Sequence, residues 1–453
     1  MKKFCIIPLA GALAALLLSA ATAIASTPPT FTTLTTFSDY DGVGSVVQGA
    51  DGNLYGPACQ ANNFDGAIDK VTLEGAVAPF YNFCSEPDCS DGICPEGLLL
   101  ASDGNFYGVT TYAGTYHYGT FFKLTPEGAL TTLYGFTGAQ GQPTGGLVQV
   151  SGGDFVGTTG ATVFRITSAG VLTTLHSFCS QPNCADGEDP SGALLQAQNG
   201  NVYGETWQGG QGDCVFGCGT IYQITPAGAF TVFHSFAITD GASPRGGLTH
   251  GSDGNLYGTT EGGGAYSSGT VFKITTEGAL TTLYSFGADI NSHVGGPTCR
   301  LVEASNGKFY GTTHGVDDGE FGGGTIFEIT SNGALTNLYS FDEGTQGTPF
   351  WGLLQDTNGT FYGATPAILY SLSVGLPPFI KPVPDSGHVG SPVTILGTNL
   401  TGAYSVSFNG TPAPFTVVSA TEITTRVPFG ATTGAIEIAT PGGTLSRGFF
   451  VTP

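Results

Sequence analysis

Two kinds of residue in this 453-residue chain are equipped for chemistry: closely spaced cysteines, and acids grouped beside aromatic rings. Cys84 and Cys89 lie in "FCSEPDCSDG", and Cys179 and Cys184 in "FCSQPNCADG". The same spacing in two near-copies predicts two loop-local disulfides, provided the chain is exported to a compartment where disulfides persist. Cys214 and Cys218, in "CVFGC", make a third candidate bridge. Cys59 and Cys94 offer a further pairing, which leaves Cys299 over. A thiolate metal site is the rival reading, but no histidine stands at ligand spacing, so no metal or cofactor is expected.

Trp207 and Trp351 are the chain's two tryptophans. Tyr112, Tyr116, His117 and Tyr118 crowd one segment, and His314, Asp317, Asp318 and Glu320 crowd another. Asp186, Glu188, Asp189, Asp289 and His293 fall in further segments of the same kind. An aromatic face can stack on the apolar face of a sugar while carboxylates take its hydroxyls. Trp207, Tyr116 and Trp351, with His314, Asp317 and Asp318, are therefore the candidate ligand residues. The competing reading is that Trp351 packs at the start of a strand and Trp207 under its loop. Paired acids can also hydrolyse glycosides at a defined separation, against the plainer reading of solvated loop acids. No catalytic residue is assigned, because no nucleophile elbow, Walker loop, zinc helix motif or dinucleotide fingerprint occurs.

The elements that must position these residues repeat. "DGNLYG" at Asp51–Gly56 returns unchanged at Asp253–Gly258, and in altered form at Asp103–Gly108, Gly152–Gly157, Asn199–Gly204, Asn306–Gly311 and Asn358–Gly363. The recurring final glycines stand 52, 49, 47, 54, 53 and 52 residues apart. Within each unit four strand-like segments, A to D, follow in fixed order, as in "GGLTHG", "NLYGTT", "GTVFKIT" and "LTTLYSF". Four short strands per unit of about 50 residues predict a β-propeller blade. The first segment, Phe31–Phe37, is a D strand without its A, B and C, and the last unit lacks a D. The orphan strand would complete the last unit, giving an all-β, seven-bladed β-propeller closed by an N-terminal outer strand. A–B and C–D turns are short and uniform; B–C and D–A loops vary and must emerge together on the other side. Function tends to sit on such loops. Gln48, Gln149, Gln196, His250, Glu303 and Gln355 share one slot near the inner end of strand A, where they would line an axial channel or bond the neighbouring turns.

The units "DGNLYGTT…GGG…GTVFKIT…GALTTLYSF" resemble the GloVer tandem repeats of exported bacterial proteins, over roughly Phe31 to Ser373. That resemblance implies an exported context and no defined activity. After the proline-rich step at Gly375–Pro378 the rhythm changes. Pro384-Asp-Ser-Gly387, Gly397-Thr-Asn399, Phe408-Asn-Gly410, Val427-Pro428 and Pro441-Gly-Gly443 resemble the IPT/TIG domain, which implies an immunoglobulin-like β-sandwich serving as spacer or docking module. Residues 1–25 read as a secretory signal peptide, with Lys2 and Lys3 before an apolar run and Ala23-Ile24-Ala25 as cleavage site. The expected domains are 1–25, 26–374 for the propeller and 375–453 for the IPT/TIG module. The formal net charge of −22, or −24 without Lys2 and Lys3, disfavours nucleic acid. No later segment is apolar and long enough to span a bilayer. The expectation is a monomer, secreted or held at the cell surface, that binds an extracellular polysaccharide or a surface protein. A carbohydrate-active hydrolase or lyase, and a structural envelope protein, are the alternatives.

Overall fold

The computed structural model describes residues 28–37, 42–59, 65–288, 294–315 and 323–452. The expected signal peptide, together with Asp289, His293, Asp317, Asp318 and Glu320, lies outside them. Strand follows strand, and the repeat region forms seven antiparallel sheets. In the first, Val47–Gln48, Leu54–Ala58, Ala67–Val71 and Val77–Asn82 lie side by side in chain order, and the next five sheets follow the same order, with the inner strand split in two in the fifth (Ala242–Pro244 and Thr249–His250) and sixth (Val294–Pro297 and Val302–Glu303). The seventh holds Leu354–Gln355, Phe361–Ala364 and Ile368–Ser373, and its outer strand is the N-terminal Thr30–Thr36. Thr30 stands opposite Ser373 and Thr36 opposite Ile368.

The repeated phrase explains why the sheets pack on each other. In Leu256–Gly262, successive side chains point to opposite faces, and Leu256 and Tyr257 are both fully buried. Leu256 joins Tyr203 of the sheet before, and Tyr257 joins Phe309 of the sheet after. Seven apolar clusters of this kind each bridge two successive sheets, and one joins Tyr362 of the seventh to Leu54 of the first. A Cβ at Gly258 would collide with the Phe272 ring, so glycine is required where that ring crosses the strand. Asp253 closes the A–B turn by accepting from Asn255 N at 3.1 Å, and Gly254 supplies a positive φ of 83°.

Polar side chains tie the sheets at their inner ends. Gln149 Oε1 accepts from Ser102 N at 2.9 Å, Gln196 Oε1 from Ser151 N at 2.8 Å, Glu303 Oε1 from Ser252 N at 2.9 Å and Gln355 Oε1 from Ser305 N at 3.1 Å. Gln48 Nε2 donates to Thr357 Oγ1 at 2.8 Å, across the junction of first and seventh sheets. Of the two roles read for this slot, these side chains bond the neighbouring turns.

The C-terminal residues form two further sheets around one core that includes Ile395, Phe408, Ile423, Ile438 and Phe449. This module docks on the A–B turn side of the repeats. Thr421 Oγ1 donates to Ala50 O at 2.6 Å, Arg447 to Glu303 O at 3.0 Å, and the Phe450 ring lies 5.0 Å from His250. Lys381, Asp385 and Arg447 bring charge against Arg300, Glu303 and Asp356 of the repeats. The proline-rich step therefore leads to an attached module, not to an extended spacer.

Candidate functional site

B–C and D–A loops meet on the side away from that module. Gly114 N donates to Cys89 O at 3.0 Å, Gly210 N to Cys184 O at 2.9 Å and Gly264 N to Ile238 O at 2.7 Å, each bond joining a B–C loop to a D–A loop. Below them, paired threonines clamp strands B and C: Thr110 with Thr120 at 2.9 Å, Thr206 with Thr220 at 2.8 Å, Thr260 with Thr270 at 2.8 Å. The loops thus rise from a rigid rim. They carry Tyr112, Tyr116, Tyr118, Val215, Phe216, Ile238, Tyr266 and Phe350, all exposed, with Tyr116 at 56% and Phe216 at 70%.

Among the described residues four disulfides are formed, Cys59–Cys94, Cys84–Cys89, Cys179–Cys184 and Cys214–Cys218, with Cys299 free and buried. Three carboxylates lie beside bonded cysteines, Asp65, Glu188 and Asp213. Sulfur already in a disulfide supplies no thiolate, so each group offers one carboxylate to a cation. The Cys214–Cys218 bridge holds Val215 and Phe216 out into solvent between its two ends.

Asp186, read from sequence as a loop acid open to ligand, is fully buried and serves its own loop. Its Oδ2 lies 2.9 Å from His176 Nε2 and accepts from Ser180 N and Oγ; its Oδ1 accepts from Gln181 N. Burial alone would raise its pKa, but these donors outweigh it and hold the carboxyl below its ordinary value. In the matching loop Asp91 Oδ2 accepts from Ser85 N, Ser85 Oγ and the Tyr81 hydroxyl. In a loop without cysteines, Asp240 Oδ2 lies 3.1 Å from His234 Nε2 and its Oδ1 accepts from Ala237 N at 2.8 Å. His176 and His234 are accordingly parts of the loop frame.

The two tryptophans sit lower than Tyr116. Trp207 is half-buried, and the Arg245 guanidinium lies 4.0 Å from its ring while pairing with Glu261 at 3.1 Å. Trp351 packs with Val43, Tyr362 and Leu369 at the junction of seventh and first sheets. His314 is half-buried against Gly295. The described candidates therefore share the loop side but belong to different sheets.

Sequence reasoning missed an interior pair. Glu205 is fully buried between fourth and fifth sheets, and its Oε2 accepts from Gly247 N at 2.8 Å. Burial pushes its pKa up to about 8, against the opposing pull of Gly247 N–H and the Arg300 charge. Arg300 is itself enclosed, which lowers its pKa, and its Nε donates to Thr249 Oγ1 at 3.1 Å. The signal was present: the corresponding slot holds Pro57, Val109, Thr158, Thr259, Thr312 and Ala364, none of them ionisable.

An all-β chain of four-stranded sheets with this loop arrangement has propeller-like relatives among solved structures. A streptogramin B lyase structure superposes with a TM-score of 0.56 at 18% identity, covering 77% of this chain and 98% of that one. Virginiamycin B lyase from Staphylococcus aureus gives 0.56 at 18%, covering 76% and 99%. The extracellular domain of BT3049 from B. thetaiotaomicron gives 0.53 at 14%, covering 94% of this chain and 58% of that one. At such identities the likeness is one of fold. No curated protein sequence matches the chain. The chain belongs to the Gloeobacter/Verrucomicrobia repeat family, whose model matches residues 20–215 and 211–371, and it carries an IPT/TIG domain over residues 378–448.

Proposed function

We propose that this is an exported binding protein whose ligand, an extracellular polysaccharide, lies on the loop side. Residues 1–25 are its signal peptide. Residues 26–374 are a seven-bladed β-propeller closed by the N-terminal outer strand, and residues 375–453 an immunoglobulin-like sandwich that braces it. One observation carries this reading. Of the nine large apolar side chains exposed among the described residues of the repeats, eight lie on the loop side, and the exception is Val171. Exposed rings and branched chains gathered on one side of a charge-poor protein mark an interaction surface. Tyrosines offer stacking faces with hydroxyls at their edges, which suits a hydrated sugar chain better than a dry protein interface. The four disulfides and the extracellular relative agree with an exported setting.

The test is a glycan array probed with the whole mature chain, alongside a polysaccharide-degradation assay. Binding without release of products is expected. Release of products would replace this reading with a hydrolase or lyase, and neither binding nor release would reject it.

A further inference from the structure

A cleft opens on the A–B turn side between the third sheet (Pro143–Gln149, Phe155–Thr159, Thr162–Ile166, Leu172–Ser177) and the fourth (Glu188–Gln196, Val202–Gln208, Thr220–Ile224, Phe230–Ser235). Its volume is about 420 Å³. We propose that this cleft is a binding site for a small phenol, distinct from the loop side.

The other six sheets show what the space is for. Each places a tyrosine on strand B: Tyr55, Tyr107, Tyr203, Tyr257, Tyr310 and Tyr362. The ring wedges against the next sheet, with Tyr107 at 4.4 Å from Phe155, Tyr257 at 4.0 Å from Phe309 and Tyr310 at 4.3 Å from Phe361. The hydroxyl ends at the A–B turn, where Asp51, Asp103 and Asp253 accept it at 3.0, 3.0 and 2.8 Å, and Asn199, Asn306 and Asn358 donate to it at 3.2, 3.0 and 3.2 Å. A lysine from strand C covers two of the rings, Lys70 over Tyr55 and Lys123 over Tyr107.

In the third sheet the tyrosine is replaced by Val156, and the turn acid at the same slot by Gly152. Across the junction the residue that is phenylalanine at 106, 155, 309 and 361 and leucine at 54 and 256 is Val202, the smallest side chain in that slot. One tyrosine ring, the bulk that faces it and the usual turn partner of its hydroxyl, two positions before Asp154, are thus all reduced or missing at one place. The rim changes in the opposite sense: Val171 stands where other turns carry Ala76, Ala129, Ala229, Ala279 and Ala334, and it is 64% exposed. Decay of one repeat would alter one wall. Here substitutions in two sheets converge on one space, and the rim gains an apolar side chain.

The lining selects the ligand. Val150, Val156, Leu175, Val202 and Ile224 form apolar walls that have lost their ring partner. Arg165 stands opposite Val156 in register, as Lys70 stands opposite Tyr55 and Lys123 opposite Tyr107. Its Nε lies 2.7 Å from Asp154 Oδ2. A planar ring entering this cleft therefore meets apolar walls, a guanidinium placed to cover its face, and a carboxylate in the turn to accept its hydroxyl. A phenol supplies the absent ring and its hydroxyl, with Asp154 as acceptor two positions on from the usual turn acid, and the volume lies within the roughly 300–1,000 Å³ of small-molecule sites.

The test titrates p-cresol, the tyrosine side-chain analogue, into the whole mature chain by calorimetry and ligand-observed NMR. Saturable binding at one site is expected, with at least about ten-fold weaker binding to Val156→Phe, which refills the slot, and several-fold weaker binding to Arg165→Gln. Cyclohexanol, without a ring face, is expected to bind more weakly than p-cresol. Should Val156→Phe fail to fold, Val202→Phe fills the cleft from the facing wall and is read the same way. Absence of saturable binding, undiminished binding to the filled variant, or equal binding of cyclohexanol would overturn the proposal.

Discussion

The ring of Phe31, near the start of the described chain, lies 3.6 Å from that of Tyr339 and within 3° of parallel. Phe31 also faces Tyr370, so one N-terminal side chain joins the sixth and seventh sheets. Its strand covers the backbone edge of Ile368–Ser373, which would otherwise be an unpaired edge open to association. A mature chain beginning at Asp39 is expected to melt well below the full chain and to aggregate. Phe31→Ala alone, removing a half-buried ring, is expected to cost about 2 kcal/mol in denaturant unfolding. Equal melting of the shortened and full chains would refute closure by this strand.

Glu205 sets a pH dependence. Its pKa is raised from 4.5 to about 8 by burial. Between those values the folded chain holds a proton that the unfolded chain releases. Its contribution to stability is therefore greatest below about pH 4.5, falls as pH rises towards 8, and is flat above. Glu205→Gln keeps an acceptor for Gly247 N–H and removes the titration. Each pH step of one between the two pKa values is worth roughly 1.4 kcal/mol. The variant is therefore expected to match the parent near pH 5 and to exceed it by a few kcal/mol near pH 9. A gap between the two proteins that is the same at both pH values would contradict the assignment.

In the Cys179–Cys184 loop the carboxylate is expected to matter more than the sulfur. A disulfide closing so short a loop constrains the unfolded chain by about 2 kcal/mol. Asp186→Ala leaves Ser180 N–H, Gln181 N–H and His176 without their acceptor inside a buried loop, at about 1–3 kcal/mol for each orphaned group. Denaturant titration should rank Asp186→Ala as more destabilising than the double change of Cys179 and Cys184 to alanine. Peptide mapping of non-reduced exported protein should recover both five-residue bridges, and free thiols there would refute them.

The fold was legible because its signals are periodic. The tyrosine of Tyr257 recurs in six of the seven units and the glycine of Gly258 in all seven, since most junctions are filled by that ring and the strand must leave room for the side chain that crosses it, Phe272 at Gly258 and Val43 at Gly56. The orphan strand at Phe31 was legible by subtraction. What stayed hidden depends on long-range contact. Arg447 reaches Glu303 across 144 residues of chain, so docking of the C-terminal module leaves no local pattern. Asp186 read as a free loop acid because its partner His176 lies on the preceding strand, and only register brings them together. Glu205 and Val156 were visible as departures from the repeat, but a departure acquires meaning only when the facing residues, Gly247 and Val202, are known.

Tyr116 and Trp207 were grouped as stacking platforms, and their surroundings now separate them. Tyr116 is 56% exposed on a loop tied to its neighbour by backbone bonds, so its ring contributes little to folding. Trp207 is half-buried with its ring under Arg245, which is itself held by Glu261. Removing the Tyr116 ring forfeits the apolar area it would bury on a sugar, of order 1–3 kcal/mol, so Tyr116→Ala should weaken glycan binding about ten-fold or more. Its melting temperature should stay that of the parent. Trp207→Ala leaves Arg245 without its ring, and the melting temperature should fall by several degrees while affinity changes less. Measuring both quantities on both variants decides the matter. If Tyr116→Ala lost stability and kept affinity, the second sheet's B–C loop would be a structural element, and the binding surface would have to lie elsewhere on the loop side.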